Sequence, residues 1–371
     1  MPDTAALTAP GAPFEVVRAE NGSLMYADGP RTLREFVETT WAYGERPFLL
    51  GGDGARLLTY GEFFAAATTL ANRLLDIPGL RPGDRAAVVM GDRPEWQTAF
   101  WAAQLAGLVA VPLDGGWTTD ELGRVLDHSA PGVVFVDGER LPAVTAWAER
   151  EEVRVVVFGP AEAEGPAGLT LRYEDLPAPD PYAAPPDIEI HAESDATIVY
   201  ASAAEPLRGA VSTHLAQAGA AMDARYGAAA DAFGRGELPG LGPAPVGRLT
   251  RPFSGARALT EVYGTMAAGG ALILDRTTDG TTDNTADGTA DGPTEPEPPH
   301  AGTHAPAPAL PPTLESRVAP DTGELWLRGQ SLPYAYWRDE RATAEAFTPD
   351  GWFRTDDVRT GRPTVTRFRT G

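Results

Sequence analysis

Thr197-Ile198-Val199-Tyr200-Ala201-Ser202-Ala203-Ala204-Glu205-Pro206-Leu207-Arg208-Gly209-Ala210-Val211-Ser212-Thr213-His214 is the stretch on which the reading of this chain turns. A β-branched run leads into small residues, and an Ala-rich amphipathic segment follows. Strand, tight loop and helix in that order make the layout that seats phosphate on backbone N–H groups. The loop lacks the glycines such a seat uses, which reach positive φ and let the backbone approach an anion closely. Ala203, Ala204 and Glu205 offer neither property, and Glu205 sets a negative charge where phosphate would lie.

Working outward from that loop, the upstream residues alternate between strand and helix patterns. Residues 1–30 read as a loose lead-in. Leu33-Arg34-Glu35-Phe36-Val37 begins a helix, and two short apolar runs around Gly51-Gly52-Asp53-Gly54 read as a hairpin. Thr59 sits at the N-cap of a helix reaching Leu75, with Phe63, Phe64, Ala67, Leu70 and Leu74 on one face. Arg85–Met90, Val109–Leu113, 132–137 and Val153–Phe158 read as buried strands. Helices from about Asp92, from a cap at Thr119 or Asp120, and from Leu141 lie between them. Such alternation predicts an α/β fold with parallel sheets flanked by helices. Downstream, 215–233 and 260–268 read as helices. Residues 275–314 hold a four-residue Asp/Thr/Gly repeat followed by Pro and Glu, a composition that buries little and predicts a disordered linker. Residues 315–371 read as a small β-rich piece.

The chain resembles the adenylate-forming (AMP-binding) superfamily of acyl-CoA synthetases, fatty acid–CoA ligases, peptide-synthetase adenylation domains and luciferases. Tyr200, Ser202, Gly209, Ala210, Val211, Thr213 and His214 match the signature Y-T-S-G-T-T-G-x-P-K-G-A-V-x-x-T-H, with its Lys replaced by Arg208 and one loop residue missing. Leu58–Phe63, Arg93–Trp96, Gly107–Asp114, Trp117–Leu122, Gly323–Gly329 and Asp350–Val358 follow the family in its usual order. The resemblance implies the family's N-terminal domain over 31–274, incomplete, and a chain that stops at the hinge, with the C-terminal domain and its Lys absent. It further implies a nucleotide-binding remnant at Ser202, Arg208, Gly209, Thr213 and Asp357. Phe253 and Ser254 fall on an acyl pocket, with Ser254 in place of a His, and Arg362 falls on the hinge. ATP or AMP with Mg²⁺ is the implied cofactor set if activity is retained, and no catalytic or metal-ligating residue is assigned.

Each candidate also has a plain structural reading. Ser202 and Thr213 are loop and cap hydroxyls, Asp357 a solvated acid after a hairpin, and Arg362 part of a basic tail. His214 reads as structural, and Tyr263-Gly264-Thr265-Met266 as a helix segment that only looks like a nucleotide motif.

Formal charge is −22 in 371 residues, which argues against nucleic acid as a partner. There is no Cys, so neither a disulfide frame nor a Cys-ligated metal is available. All 30 basic residues are Arg, so no mobile ammonium serves a phosphate or acyl-transfer site. No apolar stretch reaches membrane-span length, and a cytoplasmic protein is expected. Carboxylate activation by ATP needs a positioned triphosphate, a metal and charge stabilisation. The leading expectation is therefore an inactive acyl-CoA synthetase-like protein acting as a partner of a biosynthetic enzyme or carrier protein. The alternatives are an adenylating ligase that needs a second chain, and a nucleotide or acyl binding module without turnover.

Overall fold

The computed structural model describes residues 5–238, 242–249, 251–274, 310–319 and 321–358. The repeat stretch as far as residue 309, and Arg362, lie outside them. The chain opens with a single helical turn, α1 (Ala5–Thr8), and an antiparallel hairpin, β1 (Val16–Arg18) and β2 (Leu24–Tyr26). This segment is not a loose lead-in. Phe14 and Tyr26 are buried against Met222, Tyr226 and Ala229.

Thr32 caps α2 (Leu33–Thr40) by accepting from the Glu35 N–H. The hairpin β3 (Pro47–Gly51) and β4 (Arg56–Thr59) then delivers α3 (Tyr60–Leu74). Thr59 Oγ1 accepts from the Glu62 N–H at 3.1 Å while Glu62 Oε2 accepts from the Thr59 N–H at 2.8 Å, a reciprocal capping box. Thr59→Ala is expected to cost about 1 kcal/mol in urea unfolding; an unchanged midpoint would show that tertiary packing alone sets this helix start.

Next come β5 (Arg85–Met90), α4 (Pro94–Leu105), β6 (Val109–Asp114), α5 (Thr119–Ser129), β7 (Val133–Asp137), α6 (Leu141–Glu151), β8 (Arg154–Phe158) and β9 (Thr170–Arg172). The cap of α5 is Thr118, not Thr119 or Asp120, because Thr118 is the hydroxyl three residues ahead of Glu121, and the two close a second capping box. β5 to β9 pair in parallel in the order β6-β5-β7-β8-β9. β5, β7 and β8 are apolar at almost every position because both faces are covered. On one face lie α3 and α4 with Trp96, Phe100 and Trp101; on the other, α5 and α6 with Leu122, Val125, Leu126 and Val144.

β10 (Asp195–Tyr200) extends this sheet parallel to β6, and β11 (Gly209–Thr213) follows antiparallel to β10. α7 (His214–Gly234), β12 (Val246–Arg248), α8 (Ala256–Ala267) and β13 (Ala271–Leu274) complete the first part. α8 starts four residues earlier than its pattern suggested. β12 and β13 form a four-stranded sheet with β3 and β4, in the order β12-β13-β3-β4.

The downstream piece is β14 (Leu314–Val318), β15 (Glu324–Gly329), β16 (Ala335–Tyr336), α9 (Glu340–Ala346) and β17 (Phe353–Val358). β14, β15 and β17 make a three-stranded antiparallel sheet, but β16 joins the main sheet beside β11. A second tie runs through Asp223 of α7. Its carboxylate accepts from Tyr26 Oη at 2.8 Å, Thr313 Oγ1 at 3.0 Å and Ser331 Oγ at 2.6 Å. One inward-turned carboxylate thereby holds the first hairpin, α7 and the downstream piece together. Thr313, at the end of the expected linker, is fully buried.

Candidate functional site

The order strand, loop, helix does not hold at the signature stretch. After β10 the chain turns through residues 201–208 and returns as β11, with Tyr200 opposite Gly209 and Ile198 opposite Val211. Val211 shares a core with Ile198, which is why Ala210–Thr213 extend alongside β10 before any helix begins. The N-terminus of α7 is therefore one strand length from the loop, about 14 Å for four residues. Its dipole and free N–H groups do not face the loop. Thr213 caps α7 there, accepting from the Ala216 N–H at 3.1 Å. The structure brings Ser202, Arg208 and Gly209 together at one end of the hairpin and leaves Thr213 at the other.

The loop satisfies its own donors. Ser202 Oγ accepts from the Ala204 N–H at 2.9 Å, and Glu205 Oε2 accepts from the Leu207 N–H at 3.2 Å. Two donors that an anion would use are thus engaged by neighbouring side chains. Ala203 and Leu207 are buried in the core between β10, β11 and α5, pinning the loop at two points. Gly209 is needed for packing: a Cβ there would lie 2.7 Å from both Ile198 Cγ2 and Tyr200 Cζ. Arg208 is exposed, with its guanidinium 5.4 Å from the Tyr336 ring centroid.

Residues not singled out in the sequence line the mouth of the loop. His128, near the end of α5, holds Tyr200 Oη through Nδ1 at 2.7 Å. Burial and the Arg338 guanidinium lower the His128 pKa, while Glu205 and Asp339 act against that fall. Burial raises the Tyr200 pKa, so its hydroxyl stays protonated at neutral pH. Trp337 Nε1 donates to the His128 carbonyl at 3.1 Å, and Arg338 reaches the same oxygen at 3.4 Å. Arg85 donates to the next two carbonyls and lies 5.5 Å from the Trp337 ring centroid. Arg85 of β5 and the Trp337 and Arg338 side chains that follow β16 thus close the C-terminus of α5, where cations are favoured.

The other candidates scatter. Phe253 is fully buried within the core, stacked on Trp96 at 4.9 Å, and its N–H donates to Asp92 Oδ1 at 2.9 Å. Ser254 is half-buried in the turn before α8. Asp357 stands in β17, in a different sheet from the loop. His214 is structural: it is buried, its Nδ1 accepts from the Leu33 N–H at 3.3 Å, and burial pulls its pKa down to about 4. Tyr263–Met266 lie inside α8, with Tyr263 donating to Gln217.

The model of the family described as AMP-binding enzyme matches residues 36–286. The chain belongs to the AMP-binding enzyme family. An L-proline--[L-prolyl-carrier protein] ligase of Streptomyces coelicolor is 40% identical over 113 residues, which is 30% of this chain and 20% of that protein. A 4-hydroxybenzoate--CoA/benzoate--CoA ligase of Rhodopseudomonas palustris is 31% identical over 143 residues, 38% of this chain and 26% of the relative. The chain thus matches about a fifth to a quarter of the length of these curated relatives. Apo MatB from Rhodopseudomonas palustris superposes with a TM-score of 0.66 at 19% identity, over 88% of this chain and 75% of that one. A long-chain-fatty-acid CoA ligase of the same organism, described as putative, gives 0.66 at 22%, over 87% and 94%. At these identities the structural likeness establishes the fold: the N-terminal α/β architecture of acyl-CoA synthetases.

The family implies ATP and Mg²⁺, and the loop of this chain does not fit a metal-bound triphosphate. Its N–H groups at 204 and 207 are occupied, its anchors at 203 and 207 fix it against the core, and Glu205 stands exposed at its mouth. Among the described residues, no three His, Asp or Glu side chains converge as metal ligands. Among those residues, too, no helix is long and apolar enough to cross a membrane.

Proposed function

We propose that this chain is a catalytically inactive acyl-CoA synthetase-like protein that acts as a cytoplasmic partner or regulator of a biosynthetic enzyme or carrier protein. The self-capped loop carries this reading. Activation of a carboxylate by ATP depends on donors aimed at the transferring phosphoryl group, and here Ser202 and Glu205 take two of them. The absence of Lys from the whole sequence supports the same conclusion. The relatives that are carrier-protein and CoA ligases supply the partner class as a suggestion only. The expected result is no ATP–pyrophosphate exchange above background with a panel of aliphatic, aromatic and amino acids. Robust exchange by the purified chain would overturn the proposal and leave a ligase, self-sufficient or completed by a second chain. A binding module without turnover is the second reading. It is favoured by the Arg208 and Arg338 guanidiniums beside the loop, which suit a singly seated anion better than a triphosphate.

A further inference from the structure

Each helix of the parallel half runs back along the sheet and closes where the next strand begins. At that end of the sheet, opposite the loop of residues 201–208, the connections into β5, β7, β8 and β9 enclose a cleft of about 740 Å³, inside the size range of small-molecule sites. We propose that this cleft binds a small aliphatic amine or diamine, an alkyl chain that carries ammonium groups. The proposal holds whether the loop seats a nucleotide or not, and whether the chain is inactive or not.

The floor of the cleft is apolar. Leu80, buried after α3, packs over Gly132 just before β7, where a Cβ would lie 2.9 Å from Leu80 Cδ1. Ile77 and Leu169, both half-buried, extend the same surface. The rim is acidic. Asp84, Glu149 and Glu152 stand on it against one basic side chain, Arg154. Asp84 accepts from the Arg81 N–H at 2.8 Å and lies 3.6 Å from the Arg85 guanidinium, while Arg154 donates to the Gly168 carbonyl at 3.1 Å. Glu149 and Glu152 lie three residues apart at the end of α6 and so share a face. Both are exposed, and among the described residues neither carboxylate has an ion pair or hydrogen bond. The helix end adds to their charge. The Ala148 carbonyl takes the N–H groups of both Glu152 and Val153, and among the described residues no donor reaches the carbonyls of residues 149–151. Arg150, the basic residue of that turn, is drawn away to Asp127 and Glu151. The neighbouring helix α5 differs, because Arg85, Trp337 and Arg338 close its C-terminus from within the chain. Charge and shape together select the ligand. An anion meets three carboxylates and a negative helix end. A neutral apolar molecule leaves the rim unanswered, and a bare metal ion gains nothing from Leu80 and Leu169. An alkylammonium uses both parts, its chain on the floor and its ammonium in charge-assisted hydrogen bonds at the rim. The net charge of −22 concentrates such cations near the chain.

Hexamethylenediamine is the probe, since it joins two ammonium groups through an apolar chain. Titration calorimetry of the full chain at neutral pH is expected to show one-to-one binding that neither Mg²⁺ nor hexanoate displaces. Glu149→Gln and Glu152→Gly should each weaken it about five- to ten-fold, the usual worth of one charge-assisted contact. Glu152→Gly is the cleaner variant. Residue 152 has φ of 54°, a left-handed conformation that Gly adopts without strain, so the charge is removed while the urea midpoint holds. Glu20→Gln, in the turn of the first hairpin, should leave binding unchanged. Absence of binding, affinity untouched in both cleft variants, an equal loss in Glu20→Gln, or displacement by Mg²⁺ would overturn the proposal. So would binding of an oligolysine peptide without binding of the diamine, which would make a basic protein segment the occupant. Pyrophosphate exchange by the wild-type chain would instead overturn the proposal of inactivity, whatever the diamine does.

Discussion

Phe253→Ala is expected to destabilise the fold by about 3–5 kcal/mol, the usual range for removing a fully buried aromatic ring. Phe253 has no exposed surface and stacks on Trp96, which stacks in turn on Phe100 at 5.2 Å. The cavity left behind cannot close easily, because Trp96 is held from both sides by α4 and the turn before α8. The ring contacts add to the lost burial. Urea unfolding checks the magnitude. A cost below about 1 kcal/mol, with altered binding of carboxylic acids, would return Phe253 to the wall of an acyl pocket.

Asp223→Ala is expected to cost about 2–3 kcal/mol, since it leaves three hydroxyls without their shared acceptor. The loss should be local in origin. Hydrogen exchange is expected to quicken first in β1, β2 and β14, the elements tied through Tyr26 and Thr313. The pH dependence has a definite sign. Burial raises the Asp223 pKa, and the three hydroxyl bonds only partly offset it. A carboxyl whose folded pKa is raised contributes stability that is full below its unfolded pKa and is lost as pH rises through the folded one. Wild type should therefore lose stability as pH climbs from about 4, and Asp223→Asn should flatten that slope. A wild-type curve that rises monotonically through this range, with the same slope in Asp223→Asn, would refute the assignment.

The parallel half of the fold was legible because its strands are nearly unbroken apolar runs and two of its helices, α3 and α5, carry hydroxyl caps three residues before Glu. Thr59 and Glu62 state the start of α3 in the sequence itself. The signature stretch was misread for a physical reason. The reading passed from loop to helix without a strand between them, because Gly209–Thr213 is too short to show a period, and it is the burial of Val211 beside Ile198 that extends it as β11. The first hairpin escaped notice because strands of three residues have no period to detect; Phe14 and Tyr26 were its only signal. At the site, Ser202 and Arg208 lie in the turn of residues 201–208 and Gly209 opens β11, with His128 bonded to Tyr200 and Trp337 to Gly209 nearby. Those contacts join residues far apart in the chain, and no local pattern announces them.

The pairing of β16 with β11 has a bearing on how the chain folds during synthesis. Val211 is matched with Ala335, and the carbonyls of Gly209 and Val211 receive the N–H groups of Trp337 and Tyr334. Until that late strand leaves the ribosome, the outer edge of β11 is a bare row of donors and acceptors, the kind of template that recruits foreign strands. The acidic repeat intervenes before the rightful strand arrives, which lengthens the wait. Nascent chains halted before residue 335 should therefore be the aggregation-prone species, and the strong negative charge of the sequence would act mainly then, keeping neighbouring unfinished chains apart.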